Sequence, residues 1–343
     1  MQTKLTAKKK LLNPSGELNE PGYATELLLD YHRQDIKAKG YRIKEWDYYL
    51  IANDDYAVAL TIADNSYMGL LSISFIDFKQ AWFKTESIIK PFTFGKLGLP
   101  SSSKEGDIAY TDNRISMAFL HEDNHRRLRC SMKNFHNGDP FACDIILSNE
   151  PRDSMVIATP FPQDRKAFYY NQKINCMRAQ GEVVLGEETF HFDADDSFAV
   201  LDWGRGVWTY KNTWYWGSTS GMIGDKTFGF NIGYGFGNTS AASENMLFYD
   251  GVAHKLDKVE FHIPMNGNNY DYLQPWSFTS NDNRFEMNFK PILDRADHTS
   301  VGLIASDQHQ VFGKFTGKAV LDNGKVLDVK DFLGFAERVY NRW

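Results

Sequence analysis

Residues 201–217 read Leu-Asp-Trp-Gly-Arg-Gly-Val-Trp-Thr-Tyr-Lys-Asn-Thr-Trp-Tyr-Trp-Gly, and they concentrate the reactive groups of the chain. Four of the eight tryptophans, Trp203, Trp208, Trp214 and Trp216, fall here with an acid, Asp202, and a base, Arg205. Aromatic rings supply stiff apolar area with a polar edge, so rings beside an acid and a base can bind and orient a mostly apolar ligand. Among indoles, Asp202 would be a proton donor, because desolvation disfavours its carboxylate. Arg205 would clamp a polar end of the ligand. The plainer alternative is a structural ion pair between the two. Trp203, Trp208, Tyr210, Trp214 and Trp216 would line the cavity and stabilise developing positive charge, or simply pack a core.

Two more groups belong with this segment. Ser243-Glu244-Asn245 opens a strand, and Glu244 is a candidate second carboxylate. In Arg165 to Lys173, strand alternation puts Tyr169, Asn171 and Lys173 on one face and Tyr170 and Gln172 on the other. Tyr169, Tyr170, Asn171, Asn231 and Asn245 are therefore candidate ligand-binding residues beside the catalytic candidates Asp202, Arg205 and Glu244.

Other patterns point to no chemistry. Gly229 to Gly237 contains a Gly-x-Gly spacing but leads into another strand, whereas a dinucleotide loop needs a helix N-terminus. Alternating glycine there marks bending or close approach. Gly217-Ser-Thr-Ser-Gly221 has Thr219 at the centre and lacks the strand-to-helix turn of a nucleophile elbow. The nine histidines are scattered, without metal-ligand spacing, and Asp193-x-Asp195-Asp196 lacks the glycine and final glutamate of a calcium loop. We expect neither metal nor cofactor.

The elements that must position these residues are strands. Aromatic content of 15% suits pleated half-buried surfaces. From Tyr41 onward apolar and polar residues alternate in runs such as Tyr56–Ile62, Tyr67–Phe78, Arg114–Leu120 and Arg126–Met132. Hairpins are expected at Leu120–Asn124, at Ser280–Arg284 and at Asp322-Asn323-Gly324, where Asn-Gly suits a type I′ turn. Ala24 to Lys39 could hold a short helix, with α-helix below about a tenth of the chain. At 343 residues the chain exceeds one ordinary core. Sheets must close or pair to hide their edges, so two antiparallel barrels are expected, joined near the Trp-rich segment.

Net charge is −6, which offers no field for nucleic acid; the run His125-Arg-Arg-Leu-Arg129 alternates like a solvated strand face. Met1 to Lys10 lacks a signal-peptide core, and no apolar run is long enough for a transmembrane segment. Cys130, Cys143 and Cys176 make an odd count, so free thiols and a cytoplasmic setting are expected.

The order of motifs resembles a bacterial family, the domain-of-unknown-function 2804 family, over nearly the whole chain. The residues that carry this likeness are Pro21-Gly-Tyr-Ala, Lys44-Glu-Trp-Asp-Tyr-Tyr, Leu201-Asp-Trp-Gly-Arg-Gly-Val-Trp, Asn231-Ile-Gly-Tyr-Gly-Phe-Gly, Ser243-Glu-Asn and Gly334-Phe-Ala-Glu…Arg342-Trp343. More distantly, Tyr169-Tyr170…Gly181-Glu-Val…Gly186 followed by Phe198-Ala-Val-Leu-Asp-Trp-Gly is similar to the lipocalin-like carotenoid hydratase, tocopherol cyclase and AttH-like group. Asp202 directly precedes Trp203, where that group spaces its acid and Trp-Gly by two residues. The resemblance implies two lipocalin-like lobes that bind long apolar molecules, with acid catalysis and no cofactor in some members.

These readings combine into an all-β protein of two lipocalin-like (calycin-type) antiparallel barrel lobes packed together, with few short helices. An N-terminal arm spans 1–22, one lobe 23–205 and the other 206–343. A hydrophobic or isoprenoid-like small molecule would bind near the lobe junction. An enzyme of this kind would be a cofactor-independent lyase/hydratase or isomerase/cyclase. The alternatives are a non-catalytic lipid or small-molecule carrier, and a carbohydrate-active protein using Asp202 and Glu244.

Overall fold

Alternating side chains and Asn/Asp/Gly turns produce an almost entirely β structure, seen in a computed structural model that describes residues 2–302 and 304–342. Trp343, the last residue of the family-like ending, lies outside the described residues. Two sheets account for most of the chain. In the first, the path from Trp82–Pro91 runs through Met68–Asp77, Tyr56–Asp64, Ile43–Ala52, Phe198–Val207 and Asp164–Leu185 and on to Ile108–Thr111. The second runs from Val252–Lys255 through Met246–Tyr249, Lys226–Tyr234, Lys211–Ile223 and Val326–Arg342 to Val259–His262. Both curl into half-barrels around cores of their own.

The register explains how the sheets meet. Phe198–Val207 pairs with Ile43–Ala52 from Phe198 opposite Ala52 to Val207 opposite Ile43. Its odd positions Leu201, Trp203 and Val207 fill the first lobe, while Val200 joins Tyr48, Leu50, Trp216, Phe312 and Phe335 in an apolar cluster between the lobes. A strand with both faces buried must be apolar or paired throughout, and all ten residues of Phe198–Val207 are buried.

Two glycines mark close approaches. A Cβ on Gly204 would lie 1.9 Å from the Trp46 ring, so the indole lies flat on the backbone. A Cβ on Gly229 would meet the Cys176 sulfur at 2.7 Å, where the long Asp164–Leu185 strand crosses the second sheet. The glycine run thus serves close approach, as its alternation suggests.

All three expected hairpins form. At Asp322–Gly324, however, only Gly324 takes a positive φ (+83°), and its N–H donates to the Leu321 carbonyl at 2.9 Å. The turn is therefore not type I′, which needs positive φ at both central residues. The expected helix in Ala24–Lys39 does not form. Gly22–Ala24 and Leu29–Asp30 are strands, and Arg33–Asp35 is one 3-10 turn. Leu29 and Tyr31 are drawn into the first core, and that burial outweighs local helix propensity. Before Gly22, Leu5, Leu11 and Leu12 are buried too.

Candidate functional site

The seam between the lobes gathers most of the reactive candidates. Asp202 lies directly opposite Lys173 in the paired strands. The Lys173 ammonium is 3.1 Å from its carboxylate, and the Asn171 amide donates to the same carboxylate at 2.6 Å. The ammonium also sits 3.6 Å from Glu244 and 3.8 Å from the centre of the Trp216 ring. Trp216 donates its indole N–H to Asn231 at 2.6 Å, and Asn231 donates to the Glu244 carbonyl. Asn245 pins the turn, accepting from the Gly233 N–H and donating to the Asp257 carbonyl.

Arg205 is not the partner of Asp202. Three residues apart on a strand, they point to opposite faces. Arg205 lies inside the first lobe, 2.9 Å from Asp47, with its guanidinium 4.2 Å from the Trp203 ring centre. It also donates to the carbonyls of Trp46, Pro100 and Gly204. With its donors engaged and no exposed surface, it braces the lobe. Trp203 and Tyr170 accompany it on that side, edge to face at 5.6 Å, and the Tyr170 hydroxyl donates to the Leu29 carbonyl. Tyr210 is half-exposed at one end of the molecule.

The remaining candidates wall the seam. Trp208 packs edge-on against Trp214 and Trp46, and Tyr169 stacks on Trp46 at 5.9 Å. Phe236, on the second lobe, contacts Tyr169, Trp208 and Trp214.

A third carboxyl joins from the C-terminal strand. Glu337 accepts the Trp214 indole N–H and the Gln310 amide, each at 3.0 Å. Burial pushes its carboxyl up to about 7, against the pull of Trp214, Lys173 and Arg295. Burial raises Glu244 too, opposed by Lys173, whose ammonium is 3.6 Å from its Oε2. The Tyr169 hydroxyl is held well above its ordinary range by burial and then by the charges of Glu244, Asp202 and Glu337. Glu337 belongs to the family-like ending Gly334-Phe-Ala-Glu, which is its one visible signal in the sequence. Trp46 and Tyr48 in Lys44-Glu-Trp-Asp-Tyr-Tyr and Phe236 in Asn231-Ile-Gly-Tyr-Gly-Phe-Gly carry the same signal, whereas Gln310 carries none.

A cavity of about 430 Å³ opens at one end of the seam, floored by Leu50, Val200, Ser218, Phe312 and Phe335. Phe335 packs edge-on against Trp216 at 4.6 Å, and Trp216 carries the Lys173 ammonium over its ring. Among the described residues no group of three or more His, Cys, Asp or Glu side chains is placed to hold a metal ion.

Two curled antiparallel lobes with an aromatic, acid-bearing seam define a two-lobed lipocalin-like β protein. Residues 2–343 match the model of the family described as Domain of unknown function (DUF2804), and the chain belongs to that family. Among solved structures it is similar to an AttH-like protein from Nitrosomonas europaea (TM-score 0.52, 11% identity, covering 90% of this chain and 96% of that one). It is also similar to kievitone hydratase from Nectria haematococca (TM-score 0.51, 11% identity, 98% of each chain). At such identity the likeness concerns the fold. No curated protein sequence matches the chain.

Proposed function

We propose that the seam binds a hydrophobic or isoprenoid-like small molecule and acts on it by cofactor-free acid–base chemistry, as a hydratase, isomerase or cyclase. The observation that carries this reading is Glu337, a buried carboxyl that accepts from the Trp214 indole and that burial raises to about 7. A general acid works best with a pKa close to the operating pH. Glu337 would protonate an alkene or leaving hydroxyl, and the rings of Trp46, Trp214 and Trp216 would stabilise the cation that forms. Glu244, whose carboxyl burial raises against the pull of Lys173, would take up or return the second proton. Asp202 is assigned a different part from the donor expected in the sequence. It already accepts from Lys173 and Asn171, so it anchors the buried ammonium.

The name of the hydratase neighbour agrees with this chemistry. The carrier reading uses the cavity at the end of the seam and is favoured by one observation: Asp202, Glu244 and Glu337 do not line it. Glycoside chemistry fits less well, because buried Asp202 and Glu244 share one buried ammonium and line no open groove. Buried free thiols suit a reducing cytoplasm, where we place the protein.

Native mass spectrometry of protein purified without denaturation identifies any co-purifying ligand. Returned to fresh protein, that ligand should gain or lose water, or change retention at constant mass, and Glu337→Gln should stop the change. A ligand recovered unaltered by the wild type would leave a carrier.

A further inference from the structure

The register sorts charge to the two ends of the seam. Pairing of Glu45 with Asp64, of Met68 with Pro91 and of Ile43 with Val207 brings the 39–44, 64–68, 91–99 and 208–211 loops to one end. Phe198 opposite Ala52 sets the other end, where five acids, Asp54, Asp55, Asp195, Asp196 and Asp331, line the larger cavity with one lysine, Lys330, and Lys79 and Lys314 pair with Asp55 and Asp54. The first end carries Lys39, Arg42, Lys96, Arg165, Lys166 and Lys211 instead. Its acids are paired or buried: Asp164 with Arg42, Glu17 with Arg165, buried Glu45 with Arg33, and Asp64 fully buried.

The same end shows aromatic rings to solvent. Phe92 is 67% exposed and Phe94 48%, and Tyr41 and Tyr210 are each 51% exposed. Phe92 and Phe94 have φ of +54° and +45°, a backbone region bulky side chains avoid. Buried Asp64 enforces it by accepting from the Thr93 hydroxyl and the Gly95 N–H, each at 2.8 Å. Thr93 is thereby held inside and its two phenylalanine neighbours are held outside. A cavity of about 350 Å³, lined by Tyr41, Arg42, Lys44, Tyr67 and Trp208, opens beside them, and Trp208 also walls the seam.

We propose that this end is a docking surface for an anionic lipid bilayer, with Phe92 and Phe94 inserting between head groups and the lysines and arginines facing the lipid charge. A chain of net charge −6 is repelled as a whole from such a surface, so only a basic end can approach it. Exposed aromatic rings gain by burial at the interface, and juxtaposed cations add attraction to acidic lipid. The acidic mouth then faces away from the membrane. The inference does not depend on which acid, if any, does chemistry in the seam.

The test is vesicle flotation of the full chain. The vesicles are phosphatidylcholine alone, or phosphatidylcholine with about one third phosphatidylserine. Wild-type protein should float with the serine-containing vesicles, less with phosphatidylcholine, and be released by high salt. Phe92→Asn with Phe94→Asn should weaken partition about tenfold or more, from lost apolar burial. Lys39→Gln with Lys96→Gln should weaken it about fivefold for each cation removed. Asp195→Ser with Asp196→Ser, at the far end, should leave it unchanged. All these positions are at the surface, and circular dichroism checks that each variant folds. Absence of flotation with anionic vesicles, or flotation that the phenylalanine and lysine variants leave intact, overturns the proposal.

Discussion

The ammonium of Lys173 faces the carboxylate of Asp202 at 3.1 Å across two paired strands of the first lobe, while resting 3.8 Å from the ring centre of Trp216 in the second. One buried cation therefore satisfies an acid of its own sheet and an indole of the other. Docking of the lobes and the electrostatics of the seam are a single arrangement.

Asp202→Asn should destabilise the protein by about 3 kcal/mol, because it strands a buried ammonium; the lower end of the range for broken buried pairs applies since Glu244 remains nearby. Adding Lys173→Met should recover much of the loss. Urea unfolding of the two variants checks this, and an unchanged midpoint in Asp202→Asn would refute it.

Glu337 makes stability depend on pH in a definite sense. Its carboxyl is raised from 4.5 to about 7, so the folded chain holds the proton more tightly than the unfolded chain. This contribution is complete below the unfolded value and is lost as pH rises through about 7. Glu337→Gln cannot ionise, so its stability relative to wild type should grow across that window by up to about 3 kcal/mol and then level off. Urea melts at acid, neutral and alkaline pH read the gap; a constant gap would show that folding leaves the Glu337 carboxyl unshifted.

Cys130, Cys143 and Cys176 are free and buried. Burial pushes the Cys130 thiol well up and the Cys176 thiol to about 12, so little thiolate is present at neutral pH. A thiol reagent should find almost nothing in native protein and all three groups after unfolding. Rapid modification of the folded chain would contradict the burial.

Gly204→Ala should displace the Trp46 indole, since the new methyl would occupy the ring's position. The stack of Trp46 on Tyr169 would open, with a loss of about 1–3 kcal/mol or more. Thermal melting and near-UV circular dichroism of the aromatic cluster report both effects. A variant that melts and absorbs like wild type would show that the indole is free to move.

Much of the fold is legible in the sequence because strands carry their instructions locally. Alternation assigns a face to each residue, and Asp/Asn/Gly clusters close the hairpins, so spacing alone puts Tyr169, Asn171 and Lys173 on one face. The same alternation implies that Asp202 and Arg205 point apart, but not what each meets. Those partners follow from register and docking: Lys173 and Asp47 come to them from neighbouring strands, and Glu337 reaches Trp214 from the far C-terminal strand. The segment at Ala24–Lys39 shows the converse, a local helical tendency overruled by burial of Leu29 and Tyr31. Sequence determined which side chains are available on which face of which strand. Only the tertiary structure decided which charges are neighbours, because buried charges must be satisfied by whatever the packing of two sheets brings within reach.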